Sequence, residues 1–248
     1  MQAIPLTIES QAGDPLKLAL LRAPDGRGQE LDRSGNLEDA AYTRLRGALI
    51  DGYFSPGLTF TIRGLAQVFG TSPMPVRDAL KRLVAEHALT LLPNRSVIVP
   101  VMSRARFQEI LQIRLTLEPM ITTRAVPAAT PELIEAMAQD QLSMSQAVEA
   151  GDPREYLAAN RRFHFRLYRA ADTVVMLPVI ESMWAQVGPY LNQVFRDREH
   201  GATQGADQHH TSLLRALRRH DAPAAAKAIW SDLSDAADSI LAANWFSE

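Results

Sequence analysis

The run Phe69-Gly70-Thr71-Ser72-Pro73 stops one helix and starts another within a few residues. Glycine tolerates the left-handed backbone that closes a helix, so Gly70 terminates a short helix whose apolar positions are Ile62, Leu65, Ala66 and Phe69. Ser72 can cap the next helix, with Pro73 at the first helical position, where its missing N–H costs nothing. Val76, Leu80, Leu83 and Val84 form that helix's buried stripe. Upstream, Ala41, Leu45, Ala48 and Leu49 share a helical face that begins near Leu37 and stops at Asp51-Gly52, and Ser55-Pro56-Gly57 is a turn. Downstream, Leu89–Leu92 and Val97–Val99 are short β-rich runs, joined by Pro93-Asn94-Arg95-Ser96 as a hairpin turn. Helix, short helix, helix and hairpin, in that order, spell a winged helix-turn-helix over residues 38–102.

From Ser103 onward the periodicity is helical, in segments near 103–126, 131–149, 153–170, 174–198, 205–219 and 222–244. Thr130, Asp152 and Asp221, each followed closely by proline, are the expected N-caps. The expected fold is mainly α: the winged domain, then an all-α antiparallel helical bundle over 103–248. Residues 1–37, rich in Pro and Gly, read as a flexible arm with at most a short ordered piece at Leu16–Leu21.

Composition removes several function classes. With no cysteine there is no disulfide, thiolate nucleophile or Cys-ligated zinc. No apolar run approaches the roughly 18 residues a membrane span needs, and the N-terminus lacks a basic start followed by an apolar block. A cytoplasmic protein with no membrane partner is expected. Net charge is −2 overall, yet residues 39–101 hold seven basic and four acidic side chains, or +3. That asymmetry suits a nucleic-acid-binding end. Thr71 and Ser72 lie at the start of the helix that would enter the major groove, where unpaired N–H groups suit a phosphate. Arg77 and Lys81 follow one turn apart, Arg95 stands at the wing tip, and Arg44 and Arg46 on the first helix could add phosphate contacts.

The segment's wording goes further than its order. LRGALIDGYFSPG, LAQVFGTS, PVRDALKRL and PNRSVIV together resemble the DNA-binding domain of the GntR family of bacterial regulators. The resemblance implies that Arg77 and the helix start are principal DNA contacts. Two departures stand out. Pro73-Met74 replaces the usual Arg-Thr, and Ser96 replaces a wing glycine at a place where positive φ is convenient.

In the helical half, Asn160 and His164 share one helix face, while His210 and Asp232 fall on two other helices. Facing helices of a bundle can converge such groups on a metal, and imidazole with oxygen ligands favours zinc, nickel, manganese or iron(II). A hydrogen-bonded core or surface histidine is the alternative, and His209 beside His210 leaves open which one faces inward. The runs RLTLE, HTSLLRAL and DAPAAA, with the Asn160–His164 pair, resemble the FCD effector-binding domain of the FadR subgroup. That resemblance implies a divalent-metal site at Asn160, His164, His210 and Asp232, with Asp232 standing where histidine is usual. It also implies a small organic-acid or sugar-acid effector, for which Arg114 is the candidate partner, unless Arg114 simply pairs with Glu118. A metal-free pocket in which His164 and His210 touch the ligand directly remains open.

The expected function is a homodimeric, ligand-responsive regulator, a repressor, acting on two-fold DNA operators. The apolar stripe Val174, Val175, Met176, Leu177, Ile180, Met183 and Trp184 could serve the dimer seam or the core. Two alternatives differ in class: a metal-dependent enzyme using His164, His210 and Asp232, and a DNA-binding protein with a vestigial sensor. No HExxH, GxSxG or Gly-rich phosphate loop supports turnover, so no enzyme is expected.

Overall fold

The computed structural model describes residues 36–196, 202–242 and 245–247. The arm up to Gly35, with Leu16–Leu21 in it, lies outside the described residues.

Helix α1 (Leu37–Ile50) starts at Asn36, whose side chain accepts from the Glu38 N–H, and buries Ala41, Leu45, Ala48 and Leu49. It ends at Asp51, and Gly52 takes the left-handed turn at φ +66°. A strand not expected from the sequence follows, β1 (Thr59–Phe60). Helices α2 (Ile62–Val68) and α3 (Pro73–Ala85) flank the turn at Gly70, whose φ is +61°. Strands β2 (Thr90–Leu91) and β3 (Val97–Ile98) then form the wing. The sheet has three strands in the order β1-β3-β2, all antiparallel, with Thr59 and Thr90 on either side of Ile98. A two-residue strand carries no periodicity to read. β1 exists because β3 offers it a free edge.

At the wing tip the left-handed residue is Arg95 (φ +64°), one position before the expected Ser96. Ser96 is buried, and its N–H donates to Asn94 Oδ1 at 3.0 Å. The Asn94 side chain thus holds the turn that a glycine would otherwise ease.

The second half is helical: α4 (Arg104–Ala125) with a 3₁₀ turn at Val126–Ala128, α5 (Pro131–Glu149), α6 (Pro153–Ala170), α7 (Met176–Arg196), α8 (Ala202–Arg218) and α9 (Ala222–Ala242). Ser103, Thr130, Asp152 and Asp221 each accept a hydrogen bond from a backbone N–H in the first turn that follows. α5 packs on α6, α9 on both α8 and α4, and α7 on α4 and α6.

One hydrophobic core runs from Ala41 of α1 to Leu233 of α9 and so crosses from the winged half into the bundle. The crossing is made by α1 against α7. A Cβ on Gly188 would stand 2.2 Å from Leu49 O and 2.5 Å from Ile50 O, so only glycine lets the two backbones meet. Around it, Asn192 Nδ2 donates to Gly52 O at 2.5 Å, and Arg161 grips Asp51 with two bonds of 2.6 and 3.1 Å. The stripe at the start of α7 divides: Ile180 and Trp184 enter the core, whereas Val174 is 92% exposed.

Candidate metal centre and DNA-reading face

His164 on α6, His210 on α8 and Asp232 on α9 are all buried, and their ligand atoms lie within 4.8 Å of one another. His164 Nε2 is 3.3 Å from Asp232 Oδ2, and His210 Nε2 is 3.5 Å from Asp232 Oδ1. Neither Nε2 has a hydrogen-bond partner, although both are buried. Buried polar atoms are ordinarily satisfied, so two orphaned ring nitrogens on one carboxylate point to something that belongs between them. His209 turns outward to Asp235 Oδ2 at 2.7 Å, which settles which of the neighbouring histidines faces inward. Asn160 lies half-buried one turn before His164 on the same helix.

The contacts on the far side of His164 favour one tautomer. Its Nδ1 is 3.2 Å from Tyr168 Oη, and Tyr168 donates its only proton to Glu118 Oε2 at 2.8 Å. Glu118, fully buried, also accepts from Trp184 Nε1 at 3.0 Å and Arg114 Nε at 2.6 Å. With the Tyr168 proton committed, its oxygen accepts, so His164 Nδ1 carries the hydrogen and Nε2 carries a lone pair. That lone pair confronts Asp232 Oδ2, an arrangement that repels unless a cation lies between. Burial pushes the His210 imidazole down to about 4, with Asp232 offsetting only part of the shift. Burial works against a charged Asp232, but the facing histidines in their protonated form outweigh burial and hold the carboxyl below its usual range. A neutral His210 beside an ionised Asp232 matches the ligand state of a divalent-metal site. The donor set of two nitrogens and carboxylate oxygen fits zinc, nickel, manganese or iron(II).

Arg114 sits behind this centre and also lines a small cleft with Phe107, Leu111, Val187, Leu233 and Ile240. It is buried in the ion pair with Glu118, with its guanidinium 4.9 Å from the Trp184 ring centroid. Arg114, Glu118, Tyr168, His164, Asp232 and His210 form one chain of contacts. Sequence reading missed Tyr168 and the supporting role of Glu118. The available signal was spacing, since Arg114–Glu118 and His164–Tyr168 are both four apart. It also missed Thr122, one turn beyond Glu118, whose fully buried hydroxyl has no hydrogen-bond partner.

On the winged half, Ser72 is the N-cap of α3 but makes no capping bond with its side chain. Pro73 and Pro75 have no N–H, so the expected cradle of backbone donors at this helix start is halved. Ser72, Arg77, Lys81 and Arg95 are exposed and Thr71 is half-exposed. Lys81 Nζ touches Asp78 at 2.8 Å, an exposed pair of little strength. Arg44 lies half-buried with its guanidinium over Phe69. Arg46 faces the bundle instead: it donates to Glu181 Oε2 at 2.7 Å and lies 3.5 Å from Glu86, tying α1 to α7. Its guanidinium is committed to the joint between α1 and α7.

Comparison with known proteins adds independent evidence. Residues 37–99 match the family model described as bacterial regulatory proteins, gntR family, and residues 109–235 match the FCD domain. The HTH-type transcriptional regulator McbR of Escherichia coli (strain K12) is 30% identical over 177 residues, covering 71% of this chain and 80% of McbR. The solved structure of E. coli McbR/YncC superposes with a TM-score of 0.76 at 27% identity, covering 84% of this chain and 96% of that one. The gluconate operon transcriptional repressor of Bacillus subtilis (strain 168) is 25% identical over 147 residues, 59% of this chain and 58% of the repressor. The matched families and these relatives are transcriptional regulators, not enzymes. Among the described residues no helix is long and apolar enough to cross a membrane.

Proposed function

The chain belongs to the GntR family of bacterial transcriptional regulators, in the branch that carries an FCD domain, and from that premise we propose a cytoplasmic, homodimeric repressor whose helical half senses a small organic or sugar acid through a divalent metal. The observation that carries the proposal is the pair of orphaned imidazole nitrogens, His164 Nε2 and His210 Nε2, flanking the Asp232 carboxylate. His164, His210 and Asp232 would hold the ion, with the Asn160 side-chain oxygen as a fourth ligand. Such an ion supplies an open coordination position for a carboxylate oxygen. The buried Thr122 hydroxyl is a second polar contact available to an effector. Arg114 is already paired with Glu118, so an effector carboxylate would have to displace Glu118 to reach it.

The acidic effector class is supported by that donor set and by a relative whose name concerns a gluconate operon. DNA reading is assigned to Thr71, Ser72, Arg77, Lys81 and Arg95, with Arg44 at the edge of the face. A two-fold operator read by two copies follows the usual logic of helix-turn-helix proteins.

The route from sensor to DNA is short. Helix α6 carries His164 and, three residues earlier, Arg161, which holds Asp51 at the end of α1. Helix α7 carries Trp184, which bonds Glu118, and also Glu181, Gly188 and Asn192, which hold α1. A shift of α6 or α7 at the metal centre therefore moves the winged half directly. Ligand would favour one placement of the two wings and change their match to half-site spacing.

The test is elemental analysis of gently purified protein beside His164→Ala and Asp232→Ala. About one metal per chain, lost in both variants, is expected. No metal after reloading with zinc, nickel, manganese and iron(II) would refute the metal-centred reading.

A further inference from the structure

The face of α3 assigned to DNA is basic along its length but apolar at its leading end. Arg77 and Lys81 point to solvent, whereas the first turn is Pro73-Met74-Pro75, with Met74 61% exposed. Met74 touches no core: the buried side of the helix is Val76, Ala79, Leu80 and Leu83. The two prolines withhold N–H donors at the place where a helix start would grip a phosphate, and none of the three side chains can donate or accept a strong hydrogen bond. Beyond the Thr71 and Ser72 hydroxyls, these three side chains can therefore recognise a target only by van der Waals and hydrophobic contact. In the major groove one base presents an apolar group, the C5-methyl of thymine. Arg77 and Lys81 behind the tip and Arg95 on the wing supply the charge that brings a duplex to it.

We propose that Met74 is a specificity-determining residue that packs against a thymine methyl at one position of each half-site. This rests on the assignment of α3 as the DNA-reading helix. Burial of a single methyl group contributes about fourfold to affinity, so Met74 sets preference at that position without carrying binding as a whole. The flanking prolines restrict the backbone on either side of Met74, which lowers the entropy it loses on contact.

In vitro selection from a random duplex library, with the full-length wild type, Met74→Ala and Met74→Arg, tests this. Selected duplexes are then measured by fluorescence anisotropy with 2′-deoxyuridine replacing each thymidine in turn. The wild type should enrich one invariant thymine per half-site, and removing its methyl should weaken binding about fourfold. Met74→Ala should bind the same duplex, lose preference at that position and become indifferent to deoxyuridine. Met74→Arg should replace the thymine with guanine, whose O6 and N7 match a guanidinium. Because Met74 is exposed, both variants should melt with the wild type. Identical selection profiles for wild type and Met74→Ala, or indifference of the wild type to deoxyuridine at every thymine, would overturn the proposal while leaving α3 as the reading helix. Failure of the wild type to enrich any sequence would overturn the underlying assignment, and the proposal with it.

Discussion

Removing one oxygen from Tyr168 should unlock the candidate metal centre without opening a cavity. Tyr168 is fully buried and its hydroxyl makes two bonds, donating to Glu118 at 2.8 Å and accepting from His164 Nδ1 at 3.2 Å. In Tyr168→Phe the ring keeps its shape, so packing is nearly conserved. The bond to a charged acceptor is worth about 1.5–3 kcal/mol, and the stranded His164 N–H adds about 1–3 kcal/mol of unmet desolvation. A loss near 3 kcal/mol should lower Tm by about 6–12 °C for a chain of this size, measured in chelator so that no metal contributes. The second readout is metal affinity. With Nδ1 no longer held, His164 can flip or change tautomer, and affinity should fall about tenfold to a hundredfold. Tyr190→Phe is the control. Its hydroxyl accepts from the Met102 N–H at 2.7 Å, in a separate apolar cluster, so that variant should lose stability and keep metal affinity. A Tyr168→Phe protein melting within 2 °C of wild type, or binding zinc within twofold of it by calorimetry (about 0.4 kcal/mol), would refute the orienting chain.

Three further outcomes are expected. Gly188→Ala should separate α7 from α1, because its Cβ would fall 2.2 Å from a backbone oxygen; a cost of several kcal/mol and loss of ligand-dependent DNA release should appear together in melts and gel shifts. The His210 imidazole titrates near 6.5 in the unfolded chain but near 4 when folded, so the unfolded chain takes up the proton first. Metal-free protein should therefore hold full stability above about pH 6.5 and lose about 3 kcal/mol as pH falls toward 4, a slope that denaturant titrations should find missing in His210→Asn. Arg77→Ala should cost about 1–3 kcal/mol of operator affinity with an unchanged melt; unchanged binding in an anisotropy titration would remove Arg77 from the reading face.

The helices and their order belong to the sequence, because caps and stops act over a few residues. Gly70, Thr130, Asp152 and Asp221 each mark an end that the backbone reaches with its neighbours alone. The convergence of His164, His210 and Asp232 was readable only with a family resemblance to supply the pairing of distant helices. Tertiary structure decided what spacing could not. β1 forms because β3 is beside it, and the positive φ moved to Arg95 because Asn94 could bond back to Ser96. Arg46, expected to contact phosphate, points into the joint with α7 because Glu181 lies 135 residues on yet 2.7 Å away. The spacings Arg114–Glu118 and His164–Tyr168 hint at local pairs, but that one carboxylate gathers donors from α4, α6 and α7 is decided only once those helices have packed. Local chemistry determines where each helix begins and ends, but the partners of a buried charge are set by whichever distant side chains the packed core brings within hydrogen-bond reach.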